Sequence, residues 1–166
     1  MNEDWDTTCA ANPTNARARR LILTPLAVAD ADAMFAVYAN ERMYEFTGGS
    51  PPTSEQLRAR YERLVVGWND AHADRWCNWI VRLGQSATPV GAIQATVAGD
   101  LSWAAVVWEI CWSRQSNGLA SEAAPAVVDW LREIGVTTIT ASIHPDHSAS
   151  ARVAERAELL GDRRMR

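Results

Sequence analysis

Between residues 103 and 143 the apolar pattern changes period twice. Residues 103–111 form a β-rich run. Residues 119–133 carry Ala120, Ala123, Val127 and Leu131 at helical spacing, with Ile134 on the same face, and 136–143 is β-rich again after Gly135. Two parallel neighbouring strands need a crossover of a dozen or more residues, and this helix is long enough to supply one. The segment therefore predicts a parallel strand pair joined by a helix.

The rest of the chain arranges itself around that unit. Residues 1–16 are polar and aperiodic and read as a tail, leaving 17–166 as a single domain. Residues 20–24 form a short strand stopped by Pro25. A first helix carries Val28, Ala31, Met34, Phe35 and Tyr38. After the loop at 46–52, Thr53 or Ser54 caps a second helix with Leu57, Tyr61, Leu64, Val65 and Trp68. Runs 76–83 and 90–98 flank a polar turn and read as an antiparallel hairpin. A last helix carries Ala149, Val153, Ala157 and Leu160. The order is βααβββαβα, an α/β (α+β) chain with a mixed, mostly antiparallel sheet and no internal repeat.

Composition removes several functions. The 166 residues carry a net charge of −4, the wrong sign for a nucleic-acid grip. The tryptophans at 76, 79, 103, 108, 112 and 130 then read as core and pocket wall rather than a base-stacking platform. All 16 basic residues are arginine, which excludes a lysine nucleophile. Cys9, Cys77 and Cys111 are odd in number and widely spaced, against a disulfide framework. His144 and His147 flank Pro145 with no third ligand, so no metal is expected. No signal-peptide core or membrane span is visible, so a cytoplasmic protein without a membrane partner is expected.

The chemistry concentrates where the third strand of the β-rich half ends, at residues 110–123. A strand, a glycine-containing turn and a helix opening present several backbone N–H groups at the positive end of a helix dipole. Gly118 and Ala120 lack bulk, which allows a diphosphate close approach, and Gln115 and Asn117 can add side-chain donors. Taken alone, the same pattern is ordinary turn chemistry.

Four motifs in order carry a resemblance. Gln115-x-x-Gly118-x-Ala120 followed by Ser121-Glu122 matches Q/R-x-x-G-x-G/A. His144-Pro145-Asp146-His147-Ser148-Ala149-Ser150-Ala151-Arg152-Val153 resembles PDN-x-AS-x-RV. Trp79 to Leu83 followed by Pro89-Val90-Gly91 resembles W-x-V-x with P-V/I-G, and the start Arg20-Leu21-Ile22-Leu23-Thr24-Pro25-Leu26 with Asp30-Ala31-Asp32-Ala33 completes the set. Over about residues 18–160 the chain resembles the GNAT acyl-CoA N-acetyltransferases, in their RimJ/RimL-like branch.

The resemblance implies a fold, a co-substrate and a reaction. Acetyl-CoA would enter a gap between splayed parallel strands, its pantetheine arm pairing with backbone groups of Ile110 and Trp112. The diphosphate would rest on Gln115, Ser116, Asn117, Gly118, Leu119 and Ala120, with Ser121 close by. His147 stands where the family has asparagine. Ser150 and Arg152 match the AS-x-R part, with Arg152 a partner for the CoA 3′-phosphate. Glu109 is the implied base, taking a proton from a primary amine of a small molecule or peptide that attacks the thioester directly. Set among Trp108, Ile110, Cys111 and Trp112, its pKa would rise towards neutrality; the alternative is a glutamate at a solvated edge or paired with arginine. The Ile110 N–H would polarise the thioester carbonyl. Glu41, Tyr44, Glu45 and Phe46 would wall the acceptor site, or else form a solvated helix end.

There are departures. The family's tyrosine acid falls on Ala154, its closing Gly-Phe on Glu158-Leu159, and Pro125 interrupts the helix after the turn. The family's final two strands have no counterpart before residue 166, so a shortened C-terminus is expected. These departures motivate two further readings: a CoA-binding domain with weak or no catalysis, and an assembly module pairing through an open sheet edge, including a homodimer.

Overall fold

The computed structural model describes residues 19–69 and 73–159. The tail expected over 1–16 and Leu160 of the last helix lie outside the described residues. Strands β1 (Leu21–Pro25), β2 (Trp68–Asn69), β3 (Asp74–Leu83), β4 (Pro89–Val97), β5 (Trp103–Ile110) and β6 (Thr138–Thr140) form one sheet. Its order is β1-β3-β4-β5-β6, with the two-residue β2 beside β3. Every pairing is antiparallel except β5 with β6, the parallel pair expected from the crossover.

Helices cover both faces. α1 (Ala31–Val37) and α2 (Ser54–Leu64) pack on one, α3 (Leu119–Glu133) and α4 (Ser148–Arg156) on the other. A strand covered on both sides loses its polar alternation, and Cys77 to Val81 of β3 are all buried. Odd residues of that run face α3, where Trp79 meets Trp130 edge-on at 5.2 Å. Ile80 faces the other way, into a core with Met34, Leu57 and Tyr61. Truncating Trp79, which has no exposed surface, would cost about 3–5 kcal/mol.

Several local details depart from the sequence reading. The first helix divides into a 3-10 turn, Val28–Asp30, and α1, because the Asp30 carboxylate accepts from the Ala27 N–H at 2.9 Å. Thr53 is the cap of α2, exchanging bonds of 3.1 and 2.9 Å with Gln56. α2 stops at Leu64, and Gly67 at φ 79° turns Trp68 into β2. Pro125 sits buried in an unbroken α3; it removes one N–H, the partner of the Ser121 carbonyl, without breaking the helix. β6 is shorter than the run 136–143 because it leaves its neighbour early. Cys77 is held in a disulfide, contrary to the expectation from cysteine spacing, while Cys111 is a free thiol. Among the described residues no cluster of His, Cys, Asp and Glu could hold a metal, and no helix is long and apolar enough to cross a membrane.

Candidate active site

β5 pairs with β4 from Ala104 to Ile110, but with β6 only at Trp103, Ala104 and Ala105. Beyond Ala105 the parallel strands part. Successive residues of a strand turn their backbone groups to opposite edges. The Cys111 N–H bonds the Val90 carbonyl at 2.7 Å, so the Ile110 groups face the gap. Its carbonyl accepts from Gln115 Nε2 at 3.0 Å, which leaves the N–H as the donor there. Gly91 lies opposite Ile110, and a Cβ on it would stand 2.1 Å from the Glu109 carbonyl oxygen. Only glycine lets β4 approach so closely.

From β5 the chain enters a 3-10 turn, Trp112–Arg114, then passes Ser116 at φ 63° and Gly118 at φ 75°. Gly118 is the residue before α3, and its left-handed backbone is cheap only for glycine. The first intrahelical bond runs from Glu122 N–H to the Gly118 carbonyl, so the amides of Leu119, Ala120 and Ser121 have no partner in the helix. They stand at its positive end, as an anion requires. Asn117 Nδ2 folds back onto the Arg114 and Gln115 carbonyls at 3.2 and 3.4 Å. Gln115 and Asn117 thus brace the turn with their side chains, and the backbone is what the turn offers outward.

A cleft of about 470 Å³ joins the gap, the turn and the start of α4. Of the expected residues, Glu109, Ile110, Gln115, Ser116, Gly118, Leu119, Ala120, Ser121, His147, Ser150, Arg152 and Tyr44 line it. Asn117 does not. Glu41, Glu45 and Trp112 border a separate, shallow depression with Arg42, whose guanidinium lies 5.3 Å above the Trp112 ring. Sequence reasoning missed Tyr38, Met43, Thr47, Arg114 and Arg156 as lining residues, while Trp108, read as core and pocket wall, does line the cleft. Arg152 and Arg156 stand one turn apart on α4, a spacing visible in the sequence. Among the described residues none of Arg114, Arg152 and Arg156 makes an ion pair.

Alternation in β5 turns Trp108 towards the core under α3 and Glu109 towards α1 and α2. The aromatic surroundings of Glu109 are therefore tyrosines. The Tyr38 phenol lies beside its carboxylate, and burial first, then the Glu109 charge, hold Tyr38 well above the usual phenol range. The Tyr44 hydroxyl donates to the Tyr38 carbonyl oxygen at 3.0 Å, and the same two causes raise its pKa. Tyr61 is pushed up to about 12, chiefly by burial. All three phenols are neutral at physiological pH. Behind Glu109 a second cavity of about 30 Å³ is lined by Tyr61 and Asn78 among others. The Tyr61 hydroxyl and Asn78 Nδ2 are buried without a well-formed hydrogen bond. The space suits one water, and these are the partners a buried water needs.

His147 precedes α4, with its Nε2 3.4 Å from Ser150 Oγ. Phe46 stacks on its ring at 4.3 Å and 11°. Burial, then the neighbouring His144, lowers the His147 pKa, against an opposing pull from Glu45. The imidazole is neutral at pH 7.

A family model described as an acetyltransferase (GNAT) domain matches residues 20–159. A GNAT acetyltransferase from Bacillus anthracis superposes with a TM-score of 0.72 at 21% identity, over 84% of this chain and 80% of that one. AAC(6')-Ib in complex with paromomycin and acetyl-CoA gives 0.67 at 19% identity, over 83% and 81%. RimL, a ribosomal L7/L12 alpha-N-protein acetyltransferase in its apo form, gives 0.71 at 13%, over 88% and 78%. These likenesses establish the fold. No curated protein matches the chain significantly in sequence.

Proposed function

We propose that this chain, which belongs to the acetyltransferase (GNAT) family, moves an acetyl group from acetyl-CoA to a primary amine of a small molecule or peptide, as a RimJ/RimL-like member. One observation carries the reading. The gap left by β6 ends on the anion-binding turn, and Glu109 reaches the same cleft from the opposite face of β5.

The residues present fit the co-substrate. The pantetheine arm takes the open edge of β5, and the diphosphate takes the amides of Leu119, Ala120 and Ser121. Arg114, Arg152 and Arg156 supply positive charge for the phosphates. The acceptor enters beneath Tyr38, Met43 and Tyr44, where the exposed carboxylates of Glu41 and Glu45 lie close enough to draw in a cation. An alkylammonium has a pKa near ~10 and must lose a proton before its nitrogen can attack. Glu109 accepts that proton, with the Tyr38 hydroxyl beside it. The nitrogen bonds to the thioester carbon, the Ile110 N–H stabilises the oxyanion, and the C–S bond breaks to release the thiolate. A thiolate leaves without help from an acid, consistent with Ala154 at the family's tyrosine position. The sum of ammonium and thioester is amide, thiol and one proton.

The test is calorimetric binding of acetyl-CoA followed by thiol release over a panel of amines. Glu109→Gln should lower kcat by about 10²–10⁴-fold and leave acetyl-CoA affinity within twofold. Binding without thiol release from any amine, with Glu109→Gln indistinguishable from wild type, would leave a CoA-binding domain instead.

A further inference from the structure

Arg20, the residue before β1, reaches the anion-binding turn from the far edge of the sheet. Its Nε donates to Glu122 Oε1 at 2.5 Å, its backbone N–H to Glu122 Oε2 at 3.3 Å, and its Nη2 to the Asn117 carbonyl oxygen at 2.9 Å. Its own carbonyl accepts from the Gly84 N–H at 2.8 Å, and Leu21 pairs with Leu83, so the sheet holds the backbone from which the side chain extends. Nη2 would also lie 3.4 Å from a Cβ on Gly118. The guanidinium is packed against the turn itself.

Glu122 is the acidic residue in the first turn of α3. There its carboxylate satisfies the helix dipole when no other anion is present, and it competes with any anion that arrives. The Asn117 carbonyl is a second negative pole beside the free amides. Arg20 engages both.

We propose that Arg20 is a positioning residue for the co-substrate: it neutralises Glu122 and pins the Asn117 carbonyl, so that the turn offers a diphosphate N–H groups without a competing charge. The proposal rests on the reading of this turn as the CoA diphosphate site. Arg20 touches neither the reacting atoms nor the acceptor, so its influence belongs in CoA affinity alone.

The experiment titrates CoA calorimetrically into the full chain and its variants. Arg20→Gln keeps a donor but no charge and should weaken CoA binding about tenfold or more. Arg20→Lys keeps the charge and should stay within about threefold of wild type. Adding Glu122→Gln to Arg20→Gln should restore most of the lost affinity, because the uncompensated carboxylate is gone. In turnover, Arg20→Gln should raise KM for acetyl-CoA and leave kcat and the amine KM within twofold. Arg20→Gln binding as tightly as wild type overturns the proposal. So does a double variant as weak as Arg20→Gln, which would make Arg20 a structural staple only. A wild-type chain that takes up no CoA overturns the reading of the turn, and the role of Arg20 with it.

Discussion

The two sides of the cleft are built by different means. The α3 side is made of consecutive backbone: residues 110–121 supply the open strand edge, the turn and the free amides within twelve positions. The α1 and α2 side is made of side chains from separate elements. Tyr38 comes from the end of α1, Tyr61 from α2, Asn78 from β3 and Glu109 from β5. A backbone site recognises what every molecule of its ligand shares, which for the proposed co-substrate is a phosphate-bearing chain. A side-chain site can change its acceptor by substitution without disturbing the other half. The contrast predicts that damage to one side spares the binding constant of the other.

The largest effect should break the comparison, because Gly91 serves both sides. Gly91→Ala drives a Cβ into the Glu109 carbonyl and should shift the end of β5, costing about 2–4 kcal/mol. Urea unfolding should show it, with kcat and both KM values impaired. Tyr38→Phe removes the hydroxyl beside Glu109 and should lower kcat about tenfold, with CoA affinity within twofold by calorimetry. Gly118→Ala should do the reverse. At φ 75° alanine costs about 1–2 kcal/mol, and acetyl-CoA KM should rise while the amine KM holds. Equal changes in both KM values would show that the halves are not separable.

The smallest effect concerns pH. Burial lowers the His147 pKa below its ordinary 6.5, so near and below that value the unfolded chain binds the proton more readily than the folded one. Wild-type stability should therefore fall as pH drops through about 6.5, and His147→Asn should remove that part of the fall in thermal melts at pH 5 and 7. A variant with an unchanged pH dependence would reject burial as the cause.

The same division explains what the sequence disclosed. The turn at 115–120 was legible because its parts are adjacent and one is glycine. The parallel pair was legible from the change of period around α3. The surroundings of Glu109 were not, since reading along the strand names Trp108 and Ile110, the two residues that pleating turns away. Tyr38 and Tyr61 read simply as apolar positions on helices. Nothing local distinguishes them until α1 and α2 fold over β5. Gln115 and Asn117 were found as turn residues, but a sequence does not say whether an amide faces a ligand or its own backbone. Arg20 and Glu122 lie 102 positions apart, beyond any pattern within a single segment.

The stack of Phe46 on His147 ties the two sides of the cleft together. It joins the loop after α1, on the proposed acceptor side, to the head of α4, on the proposed acetyl-donor side. If the first ligand parts the rings on entering, the second meets a cleft already open and is spared that cost. Reciprocity then makes the effect symmetric: the factor by which donor favours acceptor equals the factor by which acceptor favours donor. Two sites of such different construction would communicate through a single pair of rings.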